Sequence, residues 1–229
     1  MTPILSGLVM LVGGALVAAL SAAVPQPANA PSDDELVDAT RHGDRTAFNR
    51  LVGRYQGLAY NVAYRVLHDT DAAADTTQEA FLAAYRRLDQ YHGGSFKAWL
   101  ARIVTNQCYD WLRYQKRRPA TSLEALLLTP DDPATALQHQ APDRPDEIFL
   151  QQELAGWLQN VIEQLPPDQR VTLVLSDIQG FSYEEIAQAT DVELGTVKSR
   201  LSRARRRVRD LLQTHAELLP AKYRFESDG

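Results

Sequence analysis

From Ser182 to Arg209 the chain reads SYEEIAQATDVELGTVKSRLSRARRRVR, two short runs of helical periodicity around a turn, the second crowded with arginine. Ser182 and Glu185 have the spacing of a capping box, in which hydroxyl and carboxylate satisfy free N–H groups of a first turn, so a helix is expected to start at Tyr183. Ile186 and Ala187 precede an expected turn at Thr190 and Asp191, and a second helical pattern runs from about Glu193. On it Val197, Leu201, Ala204 and Val208 recur at steps of four, three and four, which places them in one narrow stripe that has to face protein. Opposite fall Ser199, Ser202, Arg203 and Arg206, with Lys198, Arg200, Arg205, Arg207 and Arg209 on the flanks. A basic helix end favoured by the negative C-terminal dipole would also collect cations. The capped first helix and the segregated faces instead predict a helix-turn-helix, its second helix reading base edges while flanking cations neutralise phosphates.

The rest of the composition makes that cluster a local feature. Over 229 residues the formal net charge is −5, so the chain is not one that coats nucleic acid nonspecifically, and 45% hydrophobic residues exclude wholesale disorder. Cys108 is the only cysteine, which rules out intramolecular disulfides and makes a cysteine-built metal site implausible. His42, His68, His92, His139 and His215 are scattered without metal-ligand spacing, and no Gly-rich phosphate loop or nucleophile motif appears. No enzyme activity, catalytic residue, metal or cofactor is expected.

The expected fold class is all-α, two small helical domains joined by a flexible linker. Ser32 can cap a helix through Leu36, Val37 and Ala39, with Asp33, Asp34 and Glu35 at its positive end. Further helices are expected from about Thr46 to Leu67, Asp71 to Leu88 and Phe96 to Arg118. Between Pro119 and Glu147 the periodicity dissolves into five prolines and six acidic residues against the single Arg144, the composition of a linker. It resumes around Ile148, breaks at Pro166 and Pro167, covers Arg170 to Ile178 and stops at Gly180 before the helix-turn-helix. The expected organisation is therefore residues 1–31 as a hydrophobic segment, 32–118 and 148–212 as domains, 119–147 as linker and 213–229 as tail.

The N-terminal stretch sits apart. Ile4 to Val24 carries no charge and is long enough to cross a bilayer, and Ala28-Asn29-Ala30 resembles a signal-peptidase site, yet no Lys or Arg precedes it. A membrane tether through residues 4–24, a signal peptide and a mis-assigned start codon all remain open.

The Phe96 to Arg118 helix combines aromatics with cations. Trp99, Tyr109, Trp111 and Tyr114 spread around it, and Arg113, Lys116, Arg117 and Arg118 close its end. Unstacked bases stack on aromatic rings while cations track phosphates, and Asn106 is suited to hydrogen-bond an extruded base. Trp99 and Trp111 are expected in the core, whereas Tyr91, Asn106 and Tyr109 are the better candidates for bases. The preceding loop Tyr91-His92-Gly93-Gly94-Ser95 has little side-chain bulk and could close over one. Asp71 to Phe81 leaves an acidic face beside a buried stripe, which suits a protein partner as well as plain solvent.

Three strings in this order, DAAADTTQEAFLAAYRRL, FKAWLARIVTNQCYDWLRYQKRR and LPPDQRVTLVLSDIQGFSYEEIAQATDVELGTVKSRLSRARRRV, resemble the extracytoplasmic-function (ECF) class of bacterial RNA polymerase sigma factors. The resemblance covers about Asp33 to Leu212 and implies a cytoplasmic promoter-recognition subunit. Its implied partners are core RNA polymerase, promoter DNA and an anti-sigma factor. It implies that Asp75, Gln78, Glu79 and Phe81 dock on the polymerase clamp. Tyr91, His92, Gly93, Ser95, Asn106, Tyr109 and Arg113 would serve the minus-ten element, and Thr196, Lys198, Ser199, Arg200, Ser202, Arg203 and Arg206 the minus-thirty-five element. The acidic linker resembles the segment that threads toward the polymerase active-site channel. The hydrophobic extension and Glu193, at a position where a small residue or proline is common, depart from the class. Two other functions fit parts of the sequence: a helix-turn-helix regulator acting on duplex DNA alone, and a membrane-tethered adaptor whose basic helix meets anionic lipid.

Overall fold

A computed structural model describes residues 30–117 and 156–214, and every regular element among them is helical. The expected linker and the N-terminal stretch around Ile4 to Val24 lie outside the described residues, as does the tail beyond Thr214. No described helix is long and apolar enough to cross a membrane.

Helix α1 spans Asp33–Arg41 and begins at a reciprocal capping box, with the Glu35 N–H donating to Ser32 Oγ at 3.2 Å and the Ser32 N–H donating to Glu35 Oε2 at 2.7 Å. Helix α2, Arg45–Leu67, is capped by Asp44 and ends at His68, whose φ of 54° is left-handed and whose N–H closes the last turn on the Tyr64 carbonyl at 2.8 Å. Helix α3, Thr70–Arg86, starts on an Asp69 cap, and a single 3₁₀ turn, Leu88–Gln90, leads into the glycine loop before α4, Phe96–Arg117.

The second group opens with α5 over residues 156–163. Pro167 then occupies the first position of α6, Pro167–Leu173, where its missing N–H costs nothing. The expected break at Pro166 and Pro167 is present, the new helix starting on Pro167 rather than near Arg170, and α6 runs on as a π turn, Val174–Ile178, before Gly180 at φ 66° ends it. Helix α7, Tyr183–Thr190, has the expected Ser182–Glu185 capping box, and Asp191 turns the chain in the left-handed conformation at φ 55°. Helix α8, Leu194–Thr214, buries Val197, Leu201, Ala204, Val208 and Leu212, extending the expected stripe by one turn.

The two groups share one continuous core. Helix α4 packs on α2 and α3 on one side and on α7 on the other, while α6 packs on α8 and touches α2. The seam between α2 and the second group is polar. Gln159 and Arg65 exchange hydrogen bonds, Arg65 Nη1 donating to Gln159 Oε1 at 2.8 Å and Gln159 Nε2 donating to the Arg65 carbonyl at 3.1 Å. His68 Nδ1 lies 2.7 Å from Glu163. At its centre Arg170, 8% exposed, donates to the carbonyls of Val66 at 2.6 Å, of Leu165 at 3.3 Å and of Glu163. These carbonyls belong to helix ends, where intrahelical donors have run out.

Desolvation lowers the pKa of Arg170, against the opposing pull of Glu163, but a guanidinium remains charged across the physiological range. Arg170→Ala strands buried carbonyls and is expected to lower unfolding free energy by about 3 kcal/mol in a denaturant titration. Arg170→Lys recovers little of it, because one ammonium lacks the planar fork that reaches three acceptors.

Candidate nucleic-acid interface

Helix α8 divides its cations into two sets. Arg205 forks onto Asp177, with Nε and Nη2 at 2.9 and 2.6 Å from the two carboxylate oxygens; the hydrogen bonds to Asp177 raise its pKa further. Arg200 Nε sits 3.3 Å from Asp168, its side chain only 22% exposed. Both bind α8 to α6 and the π turn that continues it, so Arg200, expected to suit phosphates, is an internal tether in this arrangement. Ser199 is partly buried, and its hydroxyl donates to the Thr196 carbonyl at 3.0 Å, so it is spent on its own helix. Thr196 is partly buried beside it. Lys198, Ser202, Arg203 and Arg206 are exposed, and Arg207 joins them. The open face is therefore narrower than the sequence suggests, because spacing shows which way a side chain points and not whether a carboxylate meets it.

The glycine loop is anchored at both ends and open in the middle. Tyr91, expected to contact a base, is 2% exposed. Its ring meets Phe96 and Trp99 at centroid distances of 5.6 Å, and its hydroxyl lies 2.8 Å from both Asp34 Oδ1 and the Gly94 carbonyl. Burial, reinforced by the Asp34 hydrogen bond and charge, raises its pKa well above the usual phenol value, so the hydroxyl stays a donor. Tyr91 is thus a core residue, and periodicity missed this because it lies outside any helix. His92, Gly93 and Gly94 are exposed, with φ of 88° and 92° at the two glycines, a backbone that a side chain would strain. Ser95 Oγ accepts from the Ala98 N–H at 3.2 Å, capping α4, and donates to Glu185 at 3.0 Å.

That last contact belongs to a larger junction. Ser95, Ala98, Arg102, Thr105 and Tyr109 recur on one stripe of α4 and meet the helix-turn-helix. Thr105 Oγ1 lies 3.2 Å from the Ala189 carbonyl, Arg102 pairs with Asp191 at 2.9 Å, and Lys97 Nζ stands 3.9 Å over the Phe181 ring. Glu185 loses some stability as a carboxylate to burial, but hydrogen bonds from Ser182 and Ser95 outweigh this and lower its pKa. Tyr109 is partly buried and packs against the core, and burial pushes its pKa up to about 12. Asn106 and Arg113 remain exposed along the rim of the stripe, with Arg113 paired to Asp110. Trp99 and Trp111 pack against the core, as expected.

On α3, Asp75, Gln78 and Glu79 are exposed, whereas Phe81 is 8% exposed and belongs to the core. Leu82 and Tyr85, at 41% and 45% exposure, take the place expected for Phe81. Their steps of four and three from Gln78 put all three on one face, a signal the sequence carried but the acidic composition masked.

The chain matches two family profiles, Sigma-70 region 2 over residues 51–118 and Sigma-70 region 4 over residues 155–208. It is 38% identical over 184 residues to the ECF RNA polymerase sigma-E factor of Escherichia coli K12, covering 80% of this chain and 95% of that protein. It is 37% identical over 194 residues to the ECF RNA polymerase sigma factor SigE of Mycolicibacterium smegmatis, covering 83% and 72%. Among solved structures, CnrH in complex with the cytosolic domain of CnrY superposes with a TM-score of 0.57 at 25% identity, over 80% of this chain and 98% of that one. The sigma factor RpoE bound to the anti-sigma factor NepR from Bartonella quintana gives 0.54 at 26%, over 73% and 98%. With both regions matched, and with relatives 37–38% identical over 80% or more of this chain, the chain belongs to the ECF family of RNA polymerase sigma factors.

Proposed function

We propose that this chain acts in the cytoplasm as a dissociable subunit of RNA polymerase, directing the core enzyme to promoters through two separate DNA readers and helping to melt the downstream one. The observation that carries this reading is the pairing, in one chain, of a helix-turn-helix with an exposed cationic face and a first helical group that exposes both Asn106 on α4 and a glycine loop at the start of that helix. A regulator that binds duplex DNA alone has no use for the second. In this reading residues 32–118 hold the polymerase and the minus-ten element, residues 148–212 the minus-thirty-five element, and the acidic linker joins them. The Gln78, Glu79, Leu82 and Tyr85 face of α3 docks on the polymerase, Asn106 with His92 and Gly93 receives an unpaired base, and Lys198, Ser202, Arg203 and Arg206 engage the upstream duplex.

Such a function requires the two groups to part. Asp191 contacts Arg102 one turn from Asn106, and the recognition helix begins three residues later, so the two readers lie within on the order of 20 Å, two helix diameters. The elements they read are separated, by their names, by roughly 25 base pairs, about 85 Å along a duplex. CnrH and RpoE were each solved with a partner, CnrY and the anti-sigma factor NepR. A comparable partner for this chain would silence it by holding the closed form.

With purified core polymerase and the full chain, run-off transcription from promoter fragments of its own genome is expected. Tight duplex binding without any promoter-specific transcript would instead support a stand-alone regulator. Arg203→Ala should lower upstream-element affinity by about 1–3 kcal/mol and reduce the salt dependence, whereas Asn106→Ala should leave that affinity intact and reduce permanganate reactivity of the melted bases. A fluorophore pair on Gln56→Cys and Gln188→Cys, both exposed while Cys108 is buried, should lose energy transfer when polymerase and promoter are added together.

A further inference from the structure

Helix α1 carries none of the DNA-reading residues discussed above, yet its side chains converge on the glycine loop. Asp34 Oδ1 and the Gly94 carbonyl share the Tyr91 hydroxyl, each at 2.8 Å. From the last turn of α1, Arg41 Nη2 donates to the Leu88 carbonyl at 2.9 Å and to the Tyr91 carbonyl. The first turn is itself pinned, because Asp33 receives Arg54 Nη1 and the Tyr55 hydroxyl from α2, and Arg54 Nη2 donates to the Pro31 carbonyl at 2.9 Å. Burial, then the Asp33 hydrogen bond and charge, raises the Tyr55 pKa, so it too remains a donor.

A loop closed by two consecutive left-handed glycines has an unusually wide choice of backbone conformations. Nothing lies within 4 Å of where a Cβ would stand on Gly93 or Gly94, so neither packing nor a close neighbour selects one of them. The selection comes from polar contacts: Tyr91 fixes the Gly94 carbonyl from inside the loop, and α1 fixes Tyr91 from outside.

We infer that Asp34, Tyr91 and Arg41 are positioning residues that hold the 91–95 loop in the shape that receives the extruded minus-ten base, acting on base discrimination without touching DNA. This rests on the proposed role of that loop. The acidic first turn of α1, which looks from sequence like a dipole cap, is then a strut for promoter recognition. Arg41 and Asp34 grip the loop from opposite ends of a nine-residue helix, so α1 as a rigid body sets its height above α4.

The test uses the full chain with core polymerase and promoters carrying either the preferred base or each alternative at the captured position. Tyr91→Phe keeps the ring packed on Phe96 and Trp99 and removes only the hydroxyl, while Asp34, exposed to solvent, keeps its hydration. Tyr91→Phe and Asp34→Ala are each expected to reduce open-complex formation on the preferred promoter about fivefold and to narrow the discrimination between bases, with melting temperature and upstream-element binding unchanged. Asp34→Asn retains an acceptor at Oδ1 and should restore most of the discrimination. Gly93→Ala, which puts a side chain at φ 88° and so reshapes the loop itself, is the control for the loop's role: if it leaves melting intact, the base-receiving reading fails. If Gly93→Ala impairs melting while Tyr91→Phe and Asp34→Ala discriminate as the native chain does, the strut is overturned. Equal losses in Asp34→Asn and Asp34→Ala would overturn it as well.

Discussion

Helix α4 is buried from two sides by chemically different neighbours, and the arrangement of everything else follows from that asymmetry. Toward α2 and α3 it presents Phe96, Leu100, Val104 and Cys108, all essentially inaccessible, in an aromatic and aliphatic contact that water cannot replace. Toward α7 it presents Ala98 and Thr105, small enough for the helix-turn-helix to approach closely, ringed by Ser95, Lys97 and Arg102. Each of those polar contacts exchanges readily for water or phosphate, so its net contribution is small. One face is therefore a dry apolar contact, and the other a small-residue contact rimmed by polar pairs that water can replace.

The same division runs through the arginines. The net charge of −5 is compatible with DNA binding because the acidic groups neutralise particular cations. Asp168 and Asp177 take Arg200 and Arg205, which face the helix-turn-helix core, and helix-end carbonyls take Arg170. What remains on the open face of α8 is a short cationic row, Lys198, Arg203, Arg206 and Arg207, that can release counterions. Specificity in such a row depends on the few side chains whose geometry is fixed, and the Asp177 fork helps by stopping α8 from rolling on its stripe.

Most of the helical framework is legible in the sequence, since apolar spacing, capping boxes and left-handed stops are local signals. Ser182 with Glu185, and the α8 stripe, land where the spacing places them. The failures share a cause. Tyr91, Phe81, Ser199 and Arg200 have side chains of the right chemistry for a partner, and each is engaged instead by a residue distant in sequence or by its own backbone. The break at Pro166 and Pro167 is where the sequence places it, but the next helix starts on Pro167 rather than at Arg170, because its first turn has no use for the missing N–H. Arg170 carries no sequence signal, because its partners are carbonyls, which every residue has.

Tyr91 shows why a recognition loop is better served by a buried aromatic than by one offered to the base. A tyrosine stacked on DNA would contribute affinity but would tolerate any base, since every base has a π-face. Turned inward, with its hydroxyl bridging Asp34 and the Gly94 carbonyl, it limits the shapes the two glycines can adopt. A loop free to reshape can accommodate a wrong base at little cost, whereas a held loop leaves the wrong base with unpaired polar groups. Under the proposed role of this loop, discrimination depends on what lies beneath it, and α1 contributes to promoter reading although it presents nothing to DNA.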